Sequence, residues 1–75
     1  MNRYKLYRNF YDDYGNHVEE YLNSLELPKD VNSLLAQLRY YNGDDCNIKI
    51  CLGNNIIVSV GVVVYVYRYC GEGDL

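Results

Sequence analysis

The sequence predicts an α+β fold: a small antiparallel-type sheet with a helix hairpin on one face, in the order β-α-α-β-β. Three observations carry that expectation. The first eleven residues carry four aromatics, Tyr4, Tyr7, Phe10 and Tyr11, which favour strands. Two later segments space their apolar residues as helices do, the first ending at Pro28 and the second at Asn42-Gly43. From Cys46 onward the apolar period changes to two. With 75 residues, 49% of them apolar and 23% charged, the chain has the composition of one folded domain over residues 1–75, with room for one core.

The N-terminal segment carries two competing patterns. Tyr4, Tyr7, Tyr11, Tyr14, Val18, Tyr21 and Leu25 follow a 3-4 spacing that imitates a coiled-coil seam. A helix there would contain Gly15, start with Arg3, Lys5 and Arg8 at its positive dipole end, and be built from indifferent helix formers. Asp12-Asp13-Tyr14-Gly15-Asn16 is turn chemistry, and Asn16 with Glu19 three residues later has the form of an N-cap with its reciprocal partner. We therefore place a strand at about Arg3 to Tyr11 and a helix at about His17 to Glu26. That helix puts Val18, Tyr21, Leu22 and Leu25 on one face. Asp30 caps a second helix carrying Val31, Leu34, Leu35, Leu38 and Tyr41, and Gly43 stops it.

Ile48, Ile50 and Leu52 then face one way, Gly53-Asn54-Asn55 turns, and Ile56, Val58, Val60, Val62, Val64 and Val66 continue the aliphatic face. A strand from Ile56 to Cys70 would be about 50 Å long at ~3.3 Å per residue, so it is expected to bend or split at Gly61. On this reading the even-numbered positions carry the core, and Tyr65, Tyr67 and Tyr69 project together from the other face. The alternative, that these tyrosines pack under the helices, stays open.

Seven Lys and Arg against ten Asp and Glu give a net charge of −3, and residues 9–75 carry only four of those positives. Such a balance argues against direct nucleic-acid binding, which needs a basic surface, and suits a protein partner with a basic surface. Three cysteines, an odd number, and a charged, aromatic N-terminus point to a cytoplasmic chain with reduced thiols. The apolar run from Ile56 to Tyr67 is twelve residues, shorter than the ~20 a membrane-spanning helix needs, so no membrane partner is expected.

The run Phe10-Tyr11-Asp12-Asp13-Tyr14-Gly15-Asn16-His17-Val18-Glu19-Glu20-Tyr21-Leu22-Asn23-Ser24-Leu25, followed by Lys29-Asp30 and Leu34-Leu35-Ala36-Gln37-Leu38, resembles the first half of RelE/HigB-like toxins and their phage-borne relatives. The motif match covers residues 3–43, and the remainder matches by element order. The resemblance implies ribosome-dependent mRNA cleavage. Against that, the family is basic and carries arginines on its sheet, whereas this chain is acidic and reads Ile57-Val58-Ser59-Val60-Gly61-Val62-Val63 in the corresponding stretch. The family's basic tail is replaced by Gly71-Glu72-Gly73-Asp74-Leu75. RNA cleavage needs an acid or base at the 2′-hydroxyl and cations at the phosphate, and only Arg68, Arg39, His17 and the tyrosines offer them.

No catalytic, cofactor-binding or metal-binding residues are therefore assigned. Cys46 and Cys51 are five apart, which on a strand sends them to opposite faces, and His17 reads as a neutral surface histidine. Two features stand out as partner-binding candidates. Tyr65, Tyr67 and Tyr69 offer large contact area with few rotors, and Asp12, Asp13, Glu19 and Glu20 offer concentrated negative charge. The leading expectation is a small, non-catalytic binding protein, encoded by a phage or mobile element. It would inhibit a nucleic-acid-handling protein by occluding its basic site, as anti-CRISPR proteins do. A RelE/HigB-like toxin of a toxin–antitoxin pair, active or decayed, is the second reading. A homodimer joined through an exposed sheet edge is the third.

Overall fold

The computed structural model describes residues 1–73; Asp74 and Leu75, the end of the acidic tail, lie outside the described residues. The chain runs β1 (Asn2–Tyr11), β2 (His17–Leu27), α1 (Val31–Asn42), β3 (Asn47–Ile50), a short 3-10 turn at Leu52–Asn54, β4 (Ile56–Val60) and β5 (Val63–Glu72). The strands form one antiparallel sheet in the order β2-β1-β5-β4-β3. The order is therefore β-β-α-β-β-β with one helix, and the expected helix hairpin is overturned.

The error lies in residues 17–26, which form strand β2. Asn16 caps no helix: its N–H donates to Asp12 Oδ1 and its carbonyl accepts from Asp12 N, both at 2.9 Å, which closes the β1-β2 hairpin. Glu19, expected to reach back to that cap, turns to Arg68 instead. Six of these eleven residues are Leu or Glu, which favour helix, but an isolated helix of eleven residues is marginal in water. As a strand the same residues pair with β1 from Asn2↔Leu27 to Tyr11↔His17, so main-chain hydrogen bonding along β1 outweighs a weak helical pattern. Leu22 is the extra residue where the register shifts between Leu6↔Asn23 and Tyr7↔Tyr21.

Helix α1 forms where Asp30 caps it. The Asp30 carboxylate accepts from Ser33 N at 2.9 Å, and these hydrogen bonds hold its carboxyl below the usual carboxylate range. Gly43, at φ +92°, ends it by donating its N–H to Arg39 O at 2.8 Å. The helix leads from β2, one outer strand, to β3, the other. Twelve residues at ~1.5 Å each span about 18 Å, and four inter-strand spacings of ~4.8 Å come to about 19 Å, so the helix is long enough to cross the sheet once. Leu34 and Leu38, one turn apart, bury against the sheet.

The core is a single cluster under this helix. Tyr4, Leu27, Ile56, Val58 and Tyr67 rise from the sheet to meet Leu34, Leu38 and Cys46, and Leu6, Leu25, Ile48 and Val60 border it. The expected even-numbered core holds in β4 and fails in β5. Gly61, at φ +59°, and Val62 make a two-residue turn in which Val60 pairs with Val63. Across such a turn even positions of β4 share a face with odd positions of β5: Ile56 stands opposite Tyr67, and Val58 opposite Tyr65. Tyr67 is accordingly 2% exposed, whereas Val64 and Val66 are half-buried on the face without the helix.

Candidate interaction surface

The β1-β2 hairpin ends in a turn pinned by its first acidic residue. Asp12 Oδ1 accepts from both Tyr14 N and Asn16 N at 2.9 Å, and Gly15, at φ +81°, takes the left-handed position while donating to Asp12 O at 3.0 Å. The carboxylate of Asp12 is thus part of the turn itself. Asp13 beside it makes no ion pair and no side-chain hydrogen bond among the described residues. Two aromatic rings frame it: Tyr14 is 90% exposed and Tyr11 72%. Tyr11 leans on His17, ring centroids 5.7 Å apart, and His17 Nε2 lies 2.9 Å from Asn9 Oδ1.

The remaining acidic candidates are already engaged. Glu19 pairs with Arg68 at 3.0 Å and Glu20 with Arg8 at 2.9 Å. Consecutive residues of a strand point to opposite faces, so the two carboxylates do not form one patch. Arg68 also lies 4.9 Å over the ring of Tyr7, and Arg8 4.6 Å over that of Phe10. Of the four acidic candidates, Asp13 alone is exposed and without a protein partner among the described residues.

The tyrosines of β5 lie on the helix side. Tyr67 is core, and burial pushes its hydroxyl above the usual tyrosine range, against the opposing effect of the Asn42 hydrogen bond. Tyr69 sets its ring edge-on to that of Tyr4, with centroids 5.7 Å apart. Tyr65 reaches a groove of about 390 Å³ beside the helix, shared with Leu6, Leu25, Tyr41 and Asn42. These three tyrosines pack beneath and alongside α1 and do not form a free face. The most exposed tyrosines lie elsewhere, at Tyr11, Tyr14, Tyr21, Tyr40 and Tyr41. A hairpin reading of Asp12–Asn16, with strands on both sides, is the signal that finds the first three.

Three of the four acidic side chains expected to be free are held, then, by the turn and by arginines, and what remains on display is the hairpin end. Loop acids Asp44 and Asp45 precede β3, whose first residue pairs with Ser59 near the Gly61 turn, so they lie at the same end of the sheet as Asp12 and Asp13. Cys46 is buried, Cys51 half-buried and Cys70 exposed, all as free thiols. Among the described residues no group of three His, Cys, Asp or Glu is placed to hold a metal ion, and no helix is long and apolar enough to cross a membrane.

Fold and surface together define a small five-stranded antiparallel sheet with one helix across one face. No family model matches this chain, and no curated protein or solved structure matches it either. None of these comparisons bears on the RelE/HigB-like resemblance.

Proposed function

We propose that this protein is a small, non-catalytic binding module that inhibits a nucleic-acid-handling partner by occluding a basic site. The element that reaches the partner is the hairpin end formed by Tyr11, Asp13 and Tyr14. The observation that carries this reading is the pairing of an unpartnered carboxylate with two largely exposed rings on a turn whose own geometry is secured by Asp12 and Gly15. A rigid turn displaying tyrosine beside negative charge supplies contact area at small entropic cost and steers toward positive surface. Asp44 and Asp45 at the same end extend the negative field. Glu19 and Glu20, tied to Arg68 and Arg8, contribute little to it.

The test is affinity capture from a host lysate with the natural chain and with Asp13→Asn combined with Tyr14→Ala, at two salt concentrations, followed by competition with heparin on the purified pair. The reading expects one partner whose retention falls with salt, is lost in the double variant and is displaced by the polyanion. A partner held equally by both chains, or indifferent to heparin, would overturn it.

A further inference from the structure

Three cations gather on the face of the sheet that the helix leaves open. Lys5 stands directly opposite Arg68 on neighbouring strands, and because their neighbours Tyr4 and Tyr67 bury beneath α1, alternation sends Lys5 and Arg68 to the other side. Arg3, two residues earlier on β1, shares that side. Like charges placed directly opposite each other are destabilising, in a chain with ten acidic residues from which to draw a counter-charge. Arg68 is ion-paired with Glu19 at 3.0 Å; on β2, Glu26 stands opposite Arg3 without closing an ion pair, and the uncharged Ser24 stands opposite Lys5. Neither Arg3 nor Lys5 forms an ion pair among the described residues; Arg3 donates to the main-chain carbonyl of Glu72 at 3.2 Å.

A cavity of about 330 Å³ opens beside them, lined by Arg3, Tyr4, Lys5, Ser24 and Cys70. The hydroxyls of Ser24 and Tyr21 lie 2.8 Å apart; with Tyr21 donating, the Ser24 proton is free for an anion. The Tyr21 ring is 52% exposed and stands edge-on to Tyr7, centroids 5.5 Å apart, with Tyr7 in turn covered by Arg68. A positive cavity next to an exposed ring on an open sheet is the combination that holds a phosphate together with a flat base.

We infer that the open face binds a nucleotide, its phosphate between Arg3 and Lys5 and its base against Tyr21. This goes beyond the proposed inhibitory role and departs from the expectation drawn from net charge. Charge is felt locally, since 0.1 M salt screens over ~10 Å: Asp12 and Asp13 lie at the far end of β1 from Lys5, and of the nearby acids Glu19 is held by Arg68 while Glu26 stands opposite Arg3. A free nucleotide and a nucleotide within a single strand present the same chemistry.

The experiment titrates the full chain with labelled single-stranded RNA and DNA decamers, a nucleoside monophosphate, inorganic phosphate and duplex DNA, at two salt concentrations, with circular dichroism to confirm folding of each variant. Saturable binding of a single strand or of the monophosphate is expected, and the tighter of the two identifies the source. Lys5→Gln and Arg3→Gln should each weaken it and lower the salt slope by about one. Tyr21→Ala should weaken nucleotide binding about tenfold and leave inorganic phosphate unaffected, while Lys5→Arg retains binding. Inorganic phosphate bound as tightly as the nucleotide, duplex preferred over single strand, affinity unmoved by Lys5→Gln and Arg3→Gln, or no saturation by any probe would each overturn the assignment.

Discussion

The side-chain amide of Asn42 donates to the hydroxyl of Tyr67 at 3.2 Å and to the carbonyl of Leu38 at 2.9 Å. The last residue of the only α-helix among the described residues is thereby clamped to the middle of β5. Tyr67 is the largest fully buried side chain in the protein, so this polar contact sits where the helix must stay seated for the core to remain dry.

Tyr67→Ala should unfold the protein. Aromatic truncation in a core costs about 3–5 kcal/mol, comparable to the ~5 kcal/mol total at the lower end of small-domain stability. Val64→Asp, on the open face, should fold with a loss of about 1 kcal/mol from strand propensity. Urea denaturation followed by circular dichroism checks the ranking, and Tyr67→Phe isolates the hydrogen bond at about 1 kcal/mol.

Alkaline titration should show Tyr4 and Tyr67 ionising above the ordinary tyrosine range, because burial raises both hydroxyls. The sign follows from linkage. A pKa higher in the folded than in the unfolded chain contributes stability that is complete below about pH 10 and is lost as pH rises through the folded value. Tyrosine absorbance of Tyr4→Phe and Tyr67→Phe against the natural chain, recorded alongside circular dichroism, should therefore show these two phenols titrating with the loss of structure. Their ionisation within the ordinary tyrosine range, in a chain still folded, would contradict this.

The two ion pairs that hold Glu19 and Glu20 lie at the surface, with side chains 38–56% exposed. Glu19→Gln and Glu20→Gln should each cost less than about 1 kcal/mol, and molar salt should narrow the difference. Thermal melts at low and high salt measure it.

Gly61→Ala should destabilise by about 1–2 kcal/mol, because the turn holds that residue at φ +59°, where an L side chain crowds its own carbonyl. Gly61→Asn should recover part of the loss, since Asn tolerates that region. Nothing lies within 4 Å of the space a Cβ would occupy, so the cost is conformational and not a clash. Comparison of the two denaturation midpoints separates these causes.

The helix at Val31–Asn42 was legible because its signals are local: a capping Asp30, Leu34 and Leu38 one turn apart, and Gly43 at the stop. So were the turn at Asp12–Asn16 and the aliphatic face of β4. Residues 17–27 were not, because their apolar spacing suits a helix while their main-chain groups found a better partner in β1, a choice made between segments and invisible within either one. The face of β5 was decided the same way. Its alternation is plain from Val63 to Tyr69, but which half turns inward depends on the two residues at Gly61–Val62, where adding or removing one position exchanges core and surface along the whole strand. By itself the sequence determined one helix, the turn chemistry and the periodicity of the strands; tertiary pairing alone decided that Tyr67 is buried, that Glu19 and Glu20 are paired with arginines, and that Lys5 meets Arg68, because register is a property of two strands together.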